Sequence, residues 1–382
     1  MDKKKISYQN KWNKAIYGFI LLILSLGLYH CTNTDKVQNY SFVKVGKSSF
    51  SIDTLTKSMQ FNVQAFQDTL IVLNSDYNAL LFYSISQEKF LDKINFKKEG
   101  ENGIPAITGF LYHNADSIFL LSAYQYKLYL FNKKGILIDK YNLLKNGKVD
   151  ASSALAVGNM FSKMEKINDE IHISTIPYLK PESKEFYSSK KIHQVLDLKT
   201  KEYRFLPITY SDTYQKNAYP AAFFIFHRCY NPQKQIFVYS FMADDRLMAT
   251  DGKKVSYHNA NYEQMSKPLK LKNFTFNEDE HKKVQDRSNQ YLMILYDPYR
   301  DVYYRIAQQM EDIKKIFWAI VVLDGNLNKI LEKQYKAIDK SLQNNNNFLP
   351  PFVAEKGLYL PNGNSFTEDF FEMDIYTLTK RE

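Results

Sequence analysis

Two stretches, DTLIVLNSDYNALLFYSISQEKFLDKINF (68–96) and DSIFLLSAYQYKLYLFNKKGILIDKYNL (116–143), align along their whole length. Each opens with Asp, a small polar residue and an apolar strand. A polar turn, a second strand, a Lys-containing turn and a third strand follow. A match this long marks an internal repeat. The same grammar recurs more loosely down the chain, with openings at Asp68, Asp116, Asp169, Lys234, Asp301 and Lys356. The spacings are 48, 53, 65, 67 and 55 residues. Propeller blades recur at ~40–50 residues and lengthen through loop insertions. The fold is therefore read as all-β, a β-propeller of six blades.

Strand chemistry agrees. The runs IFLL (118–121) and QIFVYSF (235–241) are apolar at successive positions, as in a strand buried on both faces. The turns NKKG, DGKK and DGN carry residues that tolerate positive φ. The last repeat is short of strands, and YSFVKVGKSSFSIDTL (40–55) is strand-like and otherwise unassigned. That N-terminal segment is expected to complete the last blade and close the ring, leaving only short, protected sheet edges. Little helix is expected. DRSNQYLMILYD (286–297) and AIDKSLQNNNNF (337–348) read as short turns, Asn344–Asn347 as a polar loop, and Asn277–Lys283 as solvated charge.

Composition fits a large β core. The 382 residues include 29 Tyr and 27 Phe, residues that favour strands, with only 13 Gly and 11 Pro. The net formal charge is +10, but the first 30 residues hold five lysines and one acid, leaving 46 bases against 40 acids. No dense basic block occurs, which speaks against nucleic acid as a partner.

The N-terminus carries an address. A basic stretch precedes AIYGFILLILSLGLY (15–29), and His30, Cys31 and a polar run follow. A positive region before an apolar segment of ~7–15 residues is an export signal, shorter than the ~20 apolar residues of a usual membrane span. Cysteine directly after that segment resembles a bacterial lipoprotein signal, with Leu28 at the apolar position three before it. His30 stands where a small residue is usual. The expected organisation is a signal peptide at 1–30, a short tether at 31–39 beginning at a lipidated Cys31, and the propeller at 40–382. An uncleaved membrane anchor and simple secretion are the other readings. Thr32 after the cysteine leans towards the outer membrane of the cell envelope. Cys229, within AAFFIFHRCY, then has no partner and reads as a buried, inert thiol.

KEGENGI (98–104), Gly109-Phe110, DSIFLL (116–121), YDPYRDVYYRI (296–306) and FVAEKGLYL (352–360) resemble a family of lipoproteins of Bacteroidota-type bacteria known only as a domain of unknown function. The resemblance implies an exported lipoprotein with a propeller-like fold. It supplies no catalytic residues.

Chemical motifs are sparse. The seven histidines are scattered without HExxH or Cys/His spacing, so no metal is implied, and no P-loop, dinucleotide fingerprint or nucleophile elbow occurs, so no cofactor is implied. His172, inside EIHIS, reads as a core histidine. The recurrent Asp residues suit turns entering strands better than catalysis, which needs asymmetric roles. EGENGIPAITG (99–109) reads as an inter-blade loop with turns at Gly100 and Gly103. YDPYRDVYYR (296–305) is the most unusual segment. Its plain reading is a Pro-containing hairpin with local Arg–Asp pairing. The alternative is a ligand site for carboxylates or sugars through Asp297, Arg300 and Arg305.

Three functional readings follow. The first is a membrane-anchored lipoprotein whose propeller binds or scaffolds a protein or glycan partner through inter-blade loops. The second is an extracytoplasmic hydrolase or lyase acting on glycan or peptide. The third is an uncleaved, membrane-anchored sensor domain.

Overall fold

A computed structural model describes residues 40–51, 62–150, 152–158, 162–181, 183–274, 277–310, 315–339, 349–366 and 369–381. The expected signal peptide at 1–30, the expected tether at 31–39 and residues 340–348, including the expected Asn344–Asn347 loop, lie outside them.

Six antiparallel sheets form the six blades. Blade 1 is β2 (Val63–Phe66), β3 (Thr69–Asn74), β4 (Ala79–Ser84) and β5 (Lys89–Asn95). Blade 2 is β6 (Gly109–Asn114), β7 (Ser117–Ser122), β8 (Lys127–Phe131) and β9 (Leu137–Asn142). Blade 3 has a divided first strand, β10 (Ala154–Val157) and β11 (Glu165–Ile167), then β12 (Glu170–Pro177), β13 (His193–Asp197) and β14 (Tyr203–Phe205). Blade 4 is β15 (Phe226–Asn231), β16 (Ile236–Phe241), β17 (Arg246–Thr250) and β18 (Val255–Asn259). Blade 5 is β19 (Gln290–Asp297), β20 (Val302–Met310), β21 (Lys315–Asp324) and β22 (Lys329–Asp339). Blade 6 joins the two ends of the domain: β23 (Phe352–Ala354), β24 (Gly357–Phe366) and β25 (Phe370–Lys380) are completed by β1 (Tyr40–Ser51). All six repeat openings fall in the turn between the first and second strands of a blade.

Each seam between neighbouring blades holds its own apolar core. Strand alternation distributes side chains between two such cores. In β3, Leu70 and Val72 enter the blade 6–blade 1 core, while Ile71 and Leu73 enter the blade 1–blade 2 core. In β7, Ile118 and Leu120 face blade 1, while Phe119 and Leu121 face blade 3. Both faces are dry, so the second strand of a blade reads as a continuous apolar run instead of an alternating one.

Closure follows the same rule and requires one irregularity. Phe42 packs in the blade 5–blade 6 core and Phe50 in the blade 6–blade 1 core. Eight residues apart on a regular strand, the two would share a face. The register with β25 shifts between Lys44 and Gly46, so Phe42 opposes Leu378 but Phe50 opposes Phe371. That one-residue slip sends the second phenylalanine to the other seam.

One expectation is corrected, and the solvated charged run takes on a helix. Residues 286–297 are mostly strand, β19, because Tyr291, Met293 and Ile294 bury against neighbouring blades. The charged run 277–283 forms the helix α3 (Glu278–Gln285), capped by the Asn277 side chain accepting from the Glu280 amide at 3.0 Å. With the short helices α1 (Lys184–Ser188) and α2 (Asp212–Lys216), it belongs to the insertions that lengthen repeats three and four. Among the described residues, no helix is long and apolar enough to cross a membrane.

Phe50 is fully buried and packs edge-on to Tyr83 at 6.0 Å. Phe50→Ala should destabilise the domain by about 3–5 kcal/mol, the usual cost of emptying a core aromatic site. Urea unfolding measures it, and a loss below about 1 kcal/mol would show that ring closure does not depend on this seam.

Candidate functional site

The first strands of all six blades surround an axial cavity of about 400 Å³. Its wall includes Val63, Gln64, Phe110, Glu165, Tyr230 and Leu295. Every lining residue lies in, or a few residues before, the turn between the first two strands of its blade. The cavity therefore sits at the end of the ring that carries these turns, here called the hairpin end. The domain also begins there: Tyr40 pairs with Lys380, and nearby on β25 Thr377 accepts a hydrogen bond from Arg300 of the blade 5 turn.

Close packing of the inner strands shapes the upper part of the wall. A Cβ on Gly109 would meet the Gly158 carbonyl oxygen at 2.0 Å, so only glycine lets β6 approach blade 3 this closely. Asn62 donates to that same carbonyl at 2.9 Å, and Gln64 clasps the Tyr112 backbone through both amide atoms at 2.8 Å. Blade 3 supplies the charge. β10 stops at Val157 and pairing resumes only at Glu165, and Lys163, Glu165 and Lys166 enter the cavity wall from this interrupted strand. Lys166 donates to the Asn168 carbonyl. Lys163 and Glu165 make no ion pair or side-chain hydrogen bond among the described residues, although each feels the other's charge. Burial pushes the Glu165 carboxyl up to about 7, against the pull of Arg228 and Lys163, and pushes the Lys163 ammonium down.

Behind this wall lies a polar cluster that links blades 3 and 4. Arg228 donates to the carbonyls of Lys163 at 2.8 Å and His172 at 3.2 Å, which fixes the backbone that carries Glu165. His172 Nδ1 and His193 Nε2 are 3.0 Å apart, and His193 Nδ1 meets the Tyr239 hydroxyl. Burial first, then the Arg228 charge, pushes His172 down to about 4 and His193 well below its ordinary value. Both rings are therefore neutral at pH 7, and His172 is a satisfied core histidine. Cys229, alongside, is held as a neutral thiol by burial and by Glu165.

The three residues of the unusual blade 5 segment do not converge. Asp297 is fully buried and organises its own turn, accepting from the Tyr299 and Arg300 amides at 2.9 and 3.2 Å, from the Tyr304 hydroxyl at 3.0 Å and from Arg300 Nη1 at 3.1 Å. Arg300 then crosses to blade 6, donating to Thr377 Oγ1 at 2.9 Å and the Glu355 carbonyl at 2.7 Å. Arg305 points to the opposite seam. All five of its N–H donors are taken, by Ser240 Oγ and the carbonyls of Phe241, Asp244, Asp245 and Ala260. Its guanidinium also lies 3.5 Å from the Tyr291 ring centre. Burial pushes it down to about 10, so it remains a cation at neutral pH. The hydrogen bonding of all three side chains is directed into the protein.

Sequence reasoning missed Lys163, Glu165 and the aromatic rim. The rim had a signal. YNPQ (230–233) and YDPY (296–299) are the same turn in blades 4 and 5: Asn231 accepts from the amides of Gln233 and Lys234 at 3.0 Å as Asp297 does from its own turn. Both tyrosine–proline pairs line the cavity. Lys163 and Glu165 had no such signal, since an interrupted first strand leaves no pattern of its own.

A second cavity of about 360 Å³ lies beside α2 and β17, among Asp244, Asp245, Arg246, Lys267 and Lys270. Most of its charges are already engaged: Arg246 pairs with Asp244 at 2.9 Å and with Asp212, Lys270 donates to Asn217 at 2.8 Å, and Asp245 accepts from the Tyr291 hydroxyl at 2.9 Å.

The buried titratable groups give stability two opposed dependences on pH. Histidines held neutral bind fewer protons folded than unfolded, so their contribution is lost as pH falls from 6.5 towards 4. Glu165 is held protonated above its ordinary 4.5, so its contribution is lost as pH rises from 4.5 to about 7. Glu165→Gln should therefore make the melting temperature fall more steeply on acidification across pH 6.5–4.5, and His172→Gln should flatten it. Thermal melts across that range decide, and parallel curves for all three proteins would refute the assignment.

No curated protein matches the sequence. Among solved structures, the chain is similar to a member of a family of unknown function, DUF4221, from Bacteroides vulgatus ATCC 8482, at 22% identity and a TM-score of 0.73, covering 90% of this chain and 99% of that one. It is also similar to a Bacteroides fragilis NCTC 9343 protein described as exported, at 11% identity and a TM-score of 0.52, covering 89% and 97%. At these identities the likeness speaks for the fold. The family model described as "Domain of unknown function (DUF4221)" matches residues 39–334, most of the chain, and this six-bladed propeller belongs to that family.

Proposed function

We propose that the protein is an exported lipoprotein, anchored to the cell envelope through Cys31, whose propeller is a binding domain with the axial cavity as its ligand site. The observation that carries the binding role is the cavity itself. Six blades converge on it, it falls within the ~300–1,000 Å³ range of small-molecule sites, and it combines apolar walls with two charged side chains, Lys163 and Glu165, that make no ion pair or side-chain hydrogen bond with a described residue. Glu165 is the sole acid among its described lining residues. Hydrolysis by a pair of carboxylates, as in glycosidases, needs two, so binding is favoured over that chemistry.

The anchor rests on the basic and apolar N-terminal segments ending at Cys31, and a fold relative described as exported supports the address. The tether 31–39 reaches no more than roughly 30 Å when fully extended. Outer-membrane placement follows from Thr32.

Metabolic labelling with palmitate should mark the protein, and Cys31→Ala should abolish both the label and its recovery with membranes. Label retained in that variant would rule out the anchor. A panel of small polar metabolites screened by thermal shift should contain at least one that stabilises the native protein but not Lys163→Met. Stabilisation indifferent to that substitution would move the site off the axis.

A further inference from the structure

We infer that the axial cavity recognises a zwitterion, an amino acid or short peptide with an apolar side chain, with Lys163 meeting its carboxylate and Glu165 its ammonium. The inference rests on the cavity being the ligand site and adds the class of ligand.

The argument is one of charge satisfaction. Glu165 is the first residue of β11, Lys163 lies two residues before it, and the interrupted strand brings both side chains to one cavity wall. Both line the cavity, both are half-buried, and neither forms an ion pair or side-chain hydrogen bond with a described residue. Unpaired charge in a partly desolvated site is costly, and a ligand that satisfies it gains selectivity against ligands that do not. An anion would satisfy Lys163 but place negative charge near Glu165. A cation would do the reverse. A neutral sugar would leave both charges with weak partners. A ligand carrying carboxylate and ammonium satisfies both.

The rest of the wall suits the remainder of such a molecule. Phe110, Tyr230, Tyr296 and Pro298 offer apolar and aromatic surface. Gln64 and Lys166 are already committed to backbone partners, so they do not compete for the ligand's charges. Arg228, through the Lys163 carbonyl, acts as a positioning residue for the charged pair. Glu165 titrates near neutrality, so ammonium binding should strengthen as it deprotonates.

The test is calorimetric titration of the detergent-solubilised full chain with L-alanyl-L-phenylalanine, its methyl ester, its N-acetyl derivative and glucuronic acid. The dipeptide should bind, and each blocked form should bind about tenfold or more weakly, as expected when a charged hydrogen bond is lost. Lys163→Met should weaken the dipeptide but not further weaken the ester. Glu165→Gln should weaken the dipeptide but not further weaken the N-acetyl form, and should remove the rise in affinity between pH 6 and 7.5. Far-UV circular dichroism checks that both variants fold. Dipeptide binding untouched by either substitution would overturn the inference and the axial site together. Glucuronic acid binding that Lys163→Met abolishes, without dipeptide binding, would overturn the zwitterion and keep the axial site. Binding of none of the four would overturn the ligand class alone, since the thermal-shift panel tests the cavity independently.

Discussion

Every sheet in this protein has two apolar faces, and neither can be left in water. A ring of blades is the arrangement in which each face finds a partner, with one core at each of six seams. The demand propagates to single residues. It makes the interiors of β3 and β7, Leu70–Leu73 and Ile118–Leu121, continuously apolar, and it sets the irregularity in β1, where the slip between Lys44 and Gly46 lets one strand serve two seams. It also explains why the N-terminal strand belongs with the C-terminal ones: without β1, the outer edge of β25 would be unpaired and two cores would each lose a phenylalanine.

Polar side chains in the seams are chosen under the same pressure. Three arginines, Arg228, Arg305 and Arg300, bridge consecutive seams from blade 3 to blade 6, each donating to backbone carbonyls of more than one segment or to a side chain across the seam. A planar guanidinium can satisfy several carbonyls at once, which a lysine ammonium on a flexible stem does less well. These residues set the geometry of the ring. On the axis, by contrast, Lys163 and Glu165 make no ion pair or side-chain hydrogen bond with a described residue. Burial keeps the histidines behind them neutral and raises the Glu165 carboxyl to about 7, so the cavity wall and the seam behind it share one electrostatic neighbourhood.

The architecture was legible because it repeats. Asp68, Asp116, Asp169, Lys234, Asp301 and Lys356 marked six equivalent turns, since a turn needs particular residue types and a blade needs one at a regular place. The site was less legible. Asp297, Arg300 and Arg305 stood out by composition, yet Asp297 and Arg300 pair within their own turn, the plain reading of that segment, and Arg305 serves the opposite seam. Residues 286–297 read as turn because the polar start, DRSN, obscured the buried strand that follows it.

Local chemistry along the chain, then, settled the strands, the turns, the number of blades and the need for a closing strand, because each depends on residue type and spacing within a few positions. The axial cavity and its charges were decided only in three dimensions. Lys163 and Glu165 acquire their setting from the break in the first strand of blade 3, from Arg228 packing behind them and from tyrosines one and two blades further along the sequence. Nothing within reach of the chain's own periodicity brings those groups together. The ring does, because six seams must be dry at once.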